Sequence, residues 1–259
     1  MTALGQSALA TLAPAFARPT YARDLTPGII HFGPGAFFRA HQAAYADALL
    51  ADDPRWAISA VALNSTGVAE ALRPQDGLYT LALLGEETQL RVIGSVVELP
   101  TRADGALIAR RLAAPTTRLV TTTVTEKGYC LAQDGTLDAD HPAIRADLAT
   151  PSRPASVIGW LAHGLAQRRA HGAPGLAILS CDNLSGNGEK LGGAVRSYAS
   201  MLDPDLARWI DDNLPYSSLF FFPTLWAVNI NWHERPLRRV DSYAEPKGRW
   251  KRATSCPPC

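Results

Sequence analysis

The sequence has few cysteines, almost no net charge and no long apolar run, and each of these absences excludes a class of protein. Its four cysteines, Cys130, Cys181, Cys256 and Cys259, do not form a disulfide framework, and they favour a reducing, cytoplasmic setting. The formal net charge is +1, which predicts neither a nucleic-acid nor a membrane partner. No stretch approaches the roughly 18 apolar residues of a membrane span, and the N-terminus lacks the pattern of a secretory signal.

What the sequence does contain is the composition and alternation of an α/β protein. Hydrophobic residues make up 47% of the chain, enough for a sizeable core. Apolar and β-branched runs predict strands or extended segments at 28–32, 56–63, 78–84, 89–97, 118–125 and 175–181. Apolar spacings of three and four predict helices at 36–50, 104–114, 154–171, 188–202 and 204–213. This alternation predicts a doubly wound, mostly parallel, Rossmann-like sheet over residues 1–214.

The composition and periodicity of the sequence change after residue 214, where we place a domain boundary. A dense apolar run is interrupted by Pro223, and a basic, proline-rich segment without clear periodicity follows. The pair Cys256 and Cys259 has redox or half-zinc spacing, but no second Cys/His pair accompanies it, so we predict no metal site. Tyr243 and Lys247 have the spacing of a short-chain dehydrogenase pair, but Pro246 opposes the helix that this pair needs. Residues 215–259 are therefore predicted to be an atypical tail.

The sharpest local feature is Gly33-Pro34-Gly35, which follows a predicted strand and precedes a predicted helix. A Rossmann fold holds a dinucleotide's diphosphate at this place, so we expect the glycine amides to be presented to that anion. The third glycine of the usual motif is replaced by Phe38, so an ordinary strand-to-helix turn is an equal alternative on these residues alone. Asn64 or Ser65 stands where an acidic residue would hold the adenosine ribose, which leaves NAD versus NADP open.

Longer runs of residues resemble one family. The run HFGPGAFFRAHQAAYADALL is similar to the polyol-specific long-chain dehydrogenases, the mannitol dehydrogenase and fructuronate reductase family. Their signature G-x-G-x-F-x-R-A-H is matched by Gly33, Gly35, Phe37, Arg39, Ala40 and His41. Further matches are PQDGLYT (74–80), VIGSV (92–96), TVTEKGYC (123–130) and SCDNLSGNGEK (180–190), so the resemblance covers about residues 28–214. It implies an NAD cofactor and hydride transfer between the nicotinamide and a small sugar-derived substrate.

The residue after Glu126 bears on the substrate class. Lys127 makes the motif look more like the fructuronate (D-mannonate) reductases, because mannitol dehydrogenases tend to have a second glycine there. The resemblance therefore implies a keto sugar acid as substrate, with mannitol or another polyol as the alternative. A lysine in a loop is usually solvated, and the family's catalytic lysine lies elsewhere, so we do not expect Lys127 to be the proton donor.

The resemblance and the strand ends together nominate the site residues. The predicted cofactor-binding residues are Gly33, Gly35, Ala36, Phe37, Arg39, Asn64, Thr123, Thr125 and Glu126. For Arg39 we weigh a bond to a phosphate oxygen against a solvated helix charge. Thr123 and Thr125 are explained equally well by β-propensity, and His41 is expected to pack rather than to catalyse.

Asn183 is the residue to which the resemblance assigns a catalytic role. Its amide would donate a hydrogen bond to the substrate oxygen as that oxygen gains or loses negative charge. The alternative is an Asx-type cap for the following helix.

The proton donor of this chemistry has no counterpart in the sequence. The reaction needs an acid as well as a hydride, and the resemblance implies a lysine in the pattern K-x-x-x-x-N-x-x-H on a helix of a second, largely helical domain. That spacing does not occur here, and the family's V-D-R-I-x-P segment does not follow Trp209–Asn213. We therefore expect a truncated or frame-shifted chain without activity. A non-catalytic dinucleotide-binding module and a poorly folding fragment are the alternatives, and the oligomeric state is not predicted.

Overall fold

The computed structural model describes residues 4–214, which are organised around two β-sheets. The strands of this part are β1 (Phe16–Ala17), β2 (Ile29–Phe32), β3 (Ile58–Val61), β4 (Tyr79–Leu83), β5 (Gln89–Ile93), β6 (Val96–Glu98), β7 (Leu119–Thr122) and β8 (Ala177–Ser180). Five of them form the main sheet in the order β6-β3-β2-β7-β8, and every neighbouring pair is parallel. The predicted doubly wound, mostly parallel α/β fold is confirmed.

Helices connect these strands and cover the main sheet. They are α1 (Ala36–Ala40), α2 (Gln42–Leu49), α3 (Gly67–Leu72), α4 (Gly105–Ala113), α5 (Pro142–Ala149), α6 (Val157–Ala170), α7 (Asn187–Leu202) and α8 (Pro204–Asn213). Two of the longer ones begin at side-chain caps of the expected chemistry. Ser156 accepts the Gly159 amide at the start of α6, and Asp203 accepts the Asp205 amide at the start of α8.

The strand order creates a crevice beside the central strand β2. From β2 the chain moves outward to β3 and β6, and then returns across the sheet to place β7 and β8 on the other side of β2. Ile29 of β2 is aligned with Ile58 of β3 and with Leu119 of β7, so the carboxyl ends of all three strands finish at one edge. In open α/β sheets, ligands bind outside this edge at the point where the strand order reverses. Here that point lies between β2 and β7.

The central strands of the main sheet are buried on both faces, which explains why their sequences are uninterrupted apolar runs. All four residues of β2 and all four of β3 are buried, as expected for parallel strands that are covered on both faces. Helices α4 and α6 pack closely against each other, because a Cβ on Gly164 of α6 would lie only 2.7 Å from the Cβ of Leu112 of α4. Each large apolar side chain buried there contributes about 1.5–3 kcal/mol.

A second, smaller sheet was not anticipated from the sequence. In it β5 pairs with β1 in parallel and with β4 antiparallel. The predicted extended segment 89–97 is therefore divided, because β5 belongs to the small sheet and β6 to the main one. Asp47 of α2 holds the point of division, since its buried carboxylate accepts the Gly94 amide at 2.7 Å and pairs with Arg91 at 2.7 Å.

The single helix predicted over residues 36–50 is wrong. His41, with φ of −113° and ψ of −84°, separates α1 from α2. The Tyr79 hydroxyl donates to the Arg39 carbonyl oxygen at 2.7 Å next to this break. In a continuous helix that oxygen would accept the backbone amide four residues later, so the hydrogen bond from β4 takes the place of a helical one. Helices α3 and α5 were not predicted.

The structure bears on the predicted absence of a membrane span within its described residues, but not on the predictions made for the C-terminal tail. Within residues 4–214, no helix combines the length and the apolar character needed to cross a membrane. The atypical tail 215–259, with its cysteine pair and with Tyr243 and Lys247, lies outside the described residues. The boundary at residue 214 therefore stays a prediction.

Candidate functional site

The turn after β2 owes its shape to glycine. Gly33 has a φ of +93°, in a region that side-chain-bearing residues rarely adopt. A Cβ built on Gly33 would lie 2.2 Å from the carbonyl oxygen of Thr123, just beyond the end of β7. The missing side chain thus allows the ends of β2 and β7 to approach each other directly. Gly35 is exposed and immediately precedes α1.

The hydrogen bonds of this turn correct one expectation. The Gly33 amide donates to the Val61 carbonyl oxygen at 3.1 Å, and the Gly35 amide donates to the Gly33 carbonyl oxygen at 2.7 Å. Neither glycine amide is open to an anion, so the expectation that both are presented to a diphosphate is wrong. The amides of Ala36 and Phe37, the first of α1, have no backbone acceptor among the described residues, as is usual at a helix start. Both amides are donors that the turn leaves available.

Arg39 is held inside the protein. Its side chain is 6% exposed and its Nη1 donates to the Pro34 carbonyl oxygen at 2.7 Å. The alternative of a solvated helix charge is therefore wrong. The guanidinium stabilises the turn by binding the residue between the two glycines, and a bond from Arg39 to a phosphate stays a prediction.

A histidine that the sequence analysis did not single out lies directly before the turn. His31 of β2 is fully buried, and its Nδ1 lies 2.7 Å from Thr121 Oγ1. Its Nε2 lies 3.0 Å from both the Gly33 carbonyl oxygen and Thr123 Oγ1. Burial lowers the pKa of His31 to about 3, so the imidazole is neutral at physiological pH. Its signal in the sequence is a polar residue within an apolar strand that ends at the glycine turn.

The segment after β7 is held by Asp182. The carboxylate accepts the amides of Val124 at 3.1 Å and Thr125 at 3.0 Å, and it also accepts the Tyr129 hydroxyl. Burial raises the pKa of Tyr129, and the Asp182 charge adds to this shift, so the phenol stays protonated and donates. Thr125 has a φ of +67° and a ψ of 162°, a conformation that costs free energy for a residue with a side chain. The three bonds to Asp182 keep it in place.

The two threonines predicted to bind the cofactor at this edge differ in their solvent exposure. Thr123 is half-buried, and its hydroxyl donates to the Gly33 carbonyl oxygen at 2.7 Å, so it links β7 to the turn. Thr125 is exposed. The side chain of Glu126 lies outside what the structure describes, and Lys127 is exposed, as expected for a lysine in a loop. Contacts of these residues with a cofactor stay predictions.

Asn183 follows β8 at the same edge of the sheet. It is exposed and has no hydrogen-bond partner among the described residues. The capping alternative is wrong, because α7 is preceded by Gly186, which has a φ of +62°, and no side chain caps that helix. Buried Asn187 instead fixes this loop by donating to the carbonyl oxygens of Ser180 at 3.1 Å and Asp182 at 2.9 Å. The Asn183 amide is thus left available, and its catalytic role stays a prediction.

Asn64 occupies the end of β3, on the other side of β2. It is exposed, and its Oδ1 accepts a hydrogen bond from Arg102 Nη2 at 3.1 Å. The structure therefore places all the predicted site residues at one edge of the sheet. Direct bonds connect the ends of β2 and β7 through Thr123, and the ends of β7 and β8 through Asp182. Asn64 has no direct bond to the turn among the described contacts.

The chemistry available at this edge is hydrogen bonding rather than nucleophilic attack. Burial raises the pKa of Cys130 and of Cys181 to about 11, so both thiols stay protonated and weakly reactive at neutral pH. Within residues 4–214, no group of three or more histidine, cysteine, aspartate or glutamate side chains is placed to hold a metal ion. The edge offers amide and hydroxyl donors beside a turn in which Gly33 and Gly35 have no side chain.

Comparisons with known proteins match this architecture. The D-mannonate oxidoreductase of Escherichia coli (strain K12) is 42% identical over 209 residues, which are 77% of this chain and 43% of that protein. The mannitol 2-dehydrogenase of Cereibacter sphaeroides is 42% identical over 236 residues, 88% of this chain and 49% of that protein. The chain thus spans less than half the length of these curated relatives.

A solved structure agrees with the fold. The Pseudomonas fluorescens mannitol 2-dehydrogenase, in a ternary complex with NAD and D-mannitol, superposes with a TM-score of 0.77 at 39% identity, covering 81% of this chain and 44% of that one. Residues 27–220 match the family described as the mannitol dehydrogenase Rossmann domain, so the resemblance seen in the sequence is confirmed. This chain belongs to the mannitol dehydrogenase family, whose Rossmann domain it carries.

Proposed function

We propose that this chain binds NAD(H) in the crevice between β2 and β7, as the dinucleotide-binding part of an oxidoreductase for a keto sugar acid of the fructuronate and mannonate class. The observation that carries the proposal is the family match, which includes every strand of the main sheet. The relative that was solved with NAD and D-mannitol supports the identity of the cofactor.

The residues at this edge fit a dinucleotide. A turn without side chains at Gly33 and Gly35 lets a diphosphate approach the backbone, and the amides of Ala36 and Phe37 would bind its oxygens. Asn64, at the end of β3, would bind a hydroxyl of the adenosine ribose. The exposed hydroxyl of Thr125 would bind nearer the nicotinamide end.

The chain's contribution to the reaction would be orientation and charge stabilisation. When bound, the dinucleotide supplies or accepts a hydride at its nicotinamide ring. Asn183 would donate a hydrogen bond to the substrate oxygen, and because an amide needs no change of protonation, this bond persists as the charge on that oxygen changes. The described part contains only two lysines, exposed Lys127 and half-buried Lys190, and neither is bonded to Asn183. We infer that residues 4–214 bind the cofactor and do not supply the proton.

The substrate class rests on a narrower argument than the cofactor. The relatives named D-mannonate oxidoreductase and mannitol 2-dehydrogenase are both 42% identical to this chain, so overall identity does not separate the two. Lys127, where mannitol dehydrogenases tend to have glycine, favours the sugar acid, and its positive charge is suited to a carboxylate. Mannitol or another polyol is the alternative substrate.

Calorimetric titration with NADH and NADPH tests the cofactor proposal. We expect saturable binding of NADH by the wild-type chain and loss of binding in Gly33→Ala, because the new Cβ would collide with the Thr123 carbonyl oxygen. Gly193→Ala is the matched control, since nothing lies within 4 Å of a Cβ at that position. A folded wild-type chain that binds neither dinucleotide would contradict the proposal.

Substrate titrations into the NADH-saturated chain test the substrate class. We expect fructuronate to bind more tightly than fructose, and we expect no turnover of either. A preference for fructose would favour the polyol alternative. Turnover of either substrate at a rate typical of dehydrogenases would show that the chain has a proton donor and would contradict that part of the proposal.

A further inference from the structure

The carbonyl oxygen of Gly33 is a meeting point of three hydrogen-bond donors. It accepts the Gly35 amide at 2.7 Å and the Thr123 hydroxyl at 2.7 Å, and His31 Nε2 lies 3.0 Å away. These donors come from the turn itself, from the end of β7 and from the interior of β2. The orientation of this one peptide group therefore sets the path of the turn, and with it the position of Ala36 and Phe37, the first two residues of α1.

The protonation of His31 follows from its surroundings. Since burial keeps the imidazole neutral, only one of its two nitrogens carries a proton. The Gly33 carbonyl can only accept, so the proton lies on Nε2, and Nδ1 accepts from the Thr121 hydroxyl at 2.7 Å. The single Thr121 proton cannot go to both His31 Nδ1 and Gln42 Oε1, which lies 3.0 Å away at the start of α2. With Nδ1 accepting that proton, the Gln42 side chain turns its NH2 group towards Thr121.

The ring of His31 also contacts α1 directly. It stacks on the ring of Phe38 with a centroid distance of 3.7 Å and an interplanar angle of 9°. His31 thus touches the turn through Nε2, β7 through Nδ1 and the first helix through its face. A buried imidazole needs hydrogen-bond partners in any case. What distinguishes His31 is that one of its partners is the Gly33 carbonyl oxygen, which also accepts from Gly35 and Thr123.

We propose that His31 is a positioning residue for the dinucleotide: its Nε2–H fixes the Gly33 carbonyl and, through it, the amides of Ala36 and Phe37 that bind the diphosphate. This inference rests on the proposed function. It adds to that function a residue that itself lies too deep in the protein to touch the cofactor, since His31 has no exposed surface.

Two substitutions separate positioning from packing. Gln can place an amide N–H near the position of histidine Nε2, whereas Asn places its amide near Nδ1. We expect His31→Gln to bind NADH within about threefold of the wild type and His31→Asn to bind at least about tenfold more weakly, because only Gln keeps the bond to Gly33. Equal weakening in both variants would overturn the proposal.

Amide hydrogen exchange provides a readout that needs no cofactor. In His31→Asn we expect the Gly35 amide to exchange at least about tenfold faster than in the wild type, with near-wild-type exchange in His31→Gln and unchanged exchange at Val195 in α7. Unchanged Gly35 exchange in a folded His31→Asn would overturn the proposal. If the wild type itself fails to bind NADH, the proposed function is contradicted, and the exchange of Gly35 still decides whether His31 holds the turn.

A pair of variants at Thr123 covers the case in which His31 variants do not fold. Thr123→Val removes the second side-chain donor to the Gly33 carbonyl while keeping the shape, and Thr123→Ser keeps the hydroxyl. We expect faster Gly35 exchange and weaker NADH binding in the valine variant, and recovery of both in the serine variant. Identical behaviour of the two variants would show that the carbonyl is not held by its donors, which would overturn the proposal.

Discussion

The ends of β2 and β7 reach the same edge of the sheet, and each is followed by a residue with positive φ, yet the two are stabilised by different chemistry. After β2 the residue is a glycine, Gly33, and neutral donors surround its carbonyl oxygen. After β7 the residue is Thr125, whose amide is bound by the carboxylate of Asp182. The β2 turn has no side chain at its positive-φ residue, and its charged partner among the described residues is a cation, the Arg39 guanidinium on the Pro34 carbonyl oxygen. The segment after β7 is strained and is held by an anion, the carboxylate of Asp182.

The difference matches what each segment is proposed to bind. A turn that receives a diphosphate must admit an anion close to the backbone, so a fixed carboxylate beside it would repel the ligand. A neutral imidazole avoids that repulsion. The segment after β7 would lie beside the nicotinamide and the substrate, where the Thr125 side chain has to be presented, and the charge-assisted bonds of Asp182 hold it there.

The largest effect we expect comes from removing the charged partner. Asp182→Ala leaves the amides of Val124 and Thr125 without their acceptor, so we expect the free energy of unfolding to fall by about 2–4 kcal/mol. Urea denaturation measures this loss. Asp134→Ala is the control, because Asp134 also accepts two hydrogen bonds, from the Thr136 amide and hydroxyl, but lies in an exposed turn. Equal losses in the two variants would show that Asp182 does not hold a strained segment.

The second-largest effect is on the pH dependence of stability, and it comes from the neutral imidazole of His31 next to the β2 turn. The unfolded chain protonates His31 below its ordinary pKa of 6.5, but the folded chain does so only near 3. Between these values the unfolded state binds more protons, so stability falls as the pH falls. This one group contributes up to about 1.4 kcal/mol per pH unit in that window.

His31→Gln removes this titration. We therefore expect the free energy of unfolding of the variant to depend less steeply on pH between about 6 and 4 than that of the wild type, as measured by denaturation at each pH. The half-buried His163, whose pKa burial also lowers, titrates in both proteins and cancels in the difference. Parallel pH profiles would contradict the assignment of a buried neutral imidazole to His31.

The smallest effect tests the strain at Thr125. Thr125→Gly removes the side chain that disfavours a φ of +67°, and we expect it to stabilise the protein by at most about 1 kcal/mol, because the glycine also makes the unfolded chain more flexible. Thr125→Ser keeps the Cβ and should bring no such gain in thermal unfolding. A glycine variant less stable than the serine variant would show that this backbone is not strained.

Much of the fold could be predicted from the sequence, because the buried parallel strands are apolar along their whole length. The runs at 28–32, 118–125 and 175–181 each contain an observed strand, and the helices at 188–202 and 204–213 are found almost as predicted. The small sheet could not be foreseen, since nothing near residue 94 reveals that Asp47, far away in the chain, holds the Gly94 amide. Helix α5 had a usable signal, as Pro142 occupies its first position.

For the candidate site, the sequence predicted where the residues lie in the sheet but not which hydrogen bonds they make. Strand ends and the family resemblance put Gly33, Thr123 and Asn183 at the carboxyl ends of their strands, where the structure also has them. They did not show that the glycine amides are already paired or that Arg39 is buried, because both depend on how the turn folds back on itself. They also missed His31, because a histidine in an apolar strand reads as a core residue until its partners are known.

The amides at the start of α1 are proposed to bind a dinucleotide at the crevice between β2 and β7. Titration of the ¹⁵N-labelled chain with NADH, followed by NMR, tests this proposal most directly. We expect saturable shifts that are largest at the amides of Ala36, Phe37 and Thr125, with those of α7 and α8 nearly unchanged. Saturable shifts centred on α7 and α8 or on the small sheet, or no shifts at all, would contradict it.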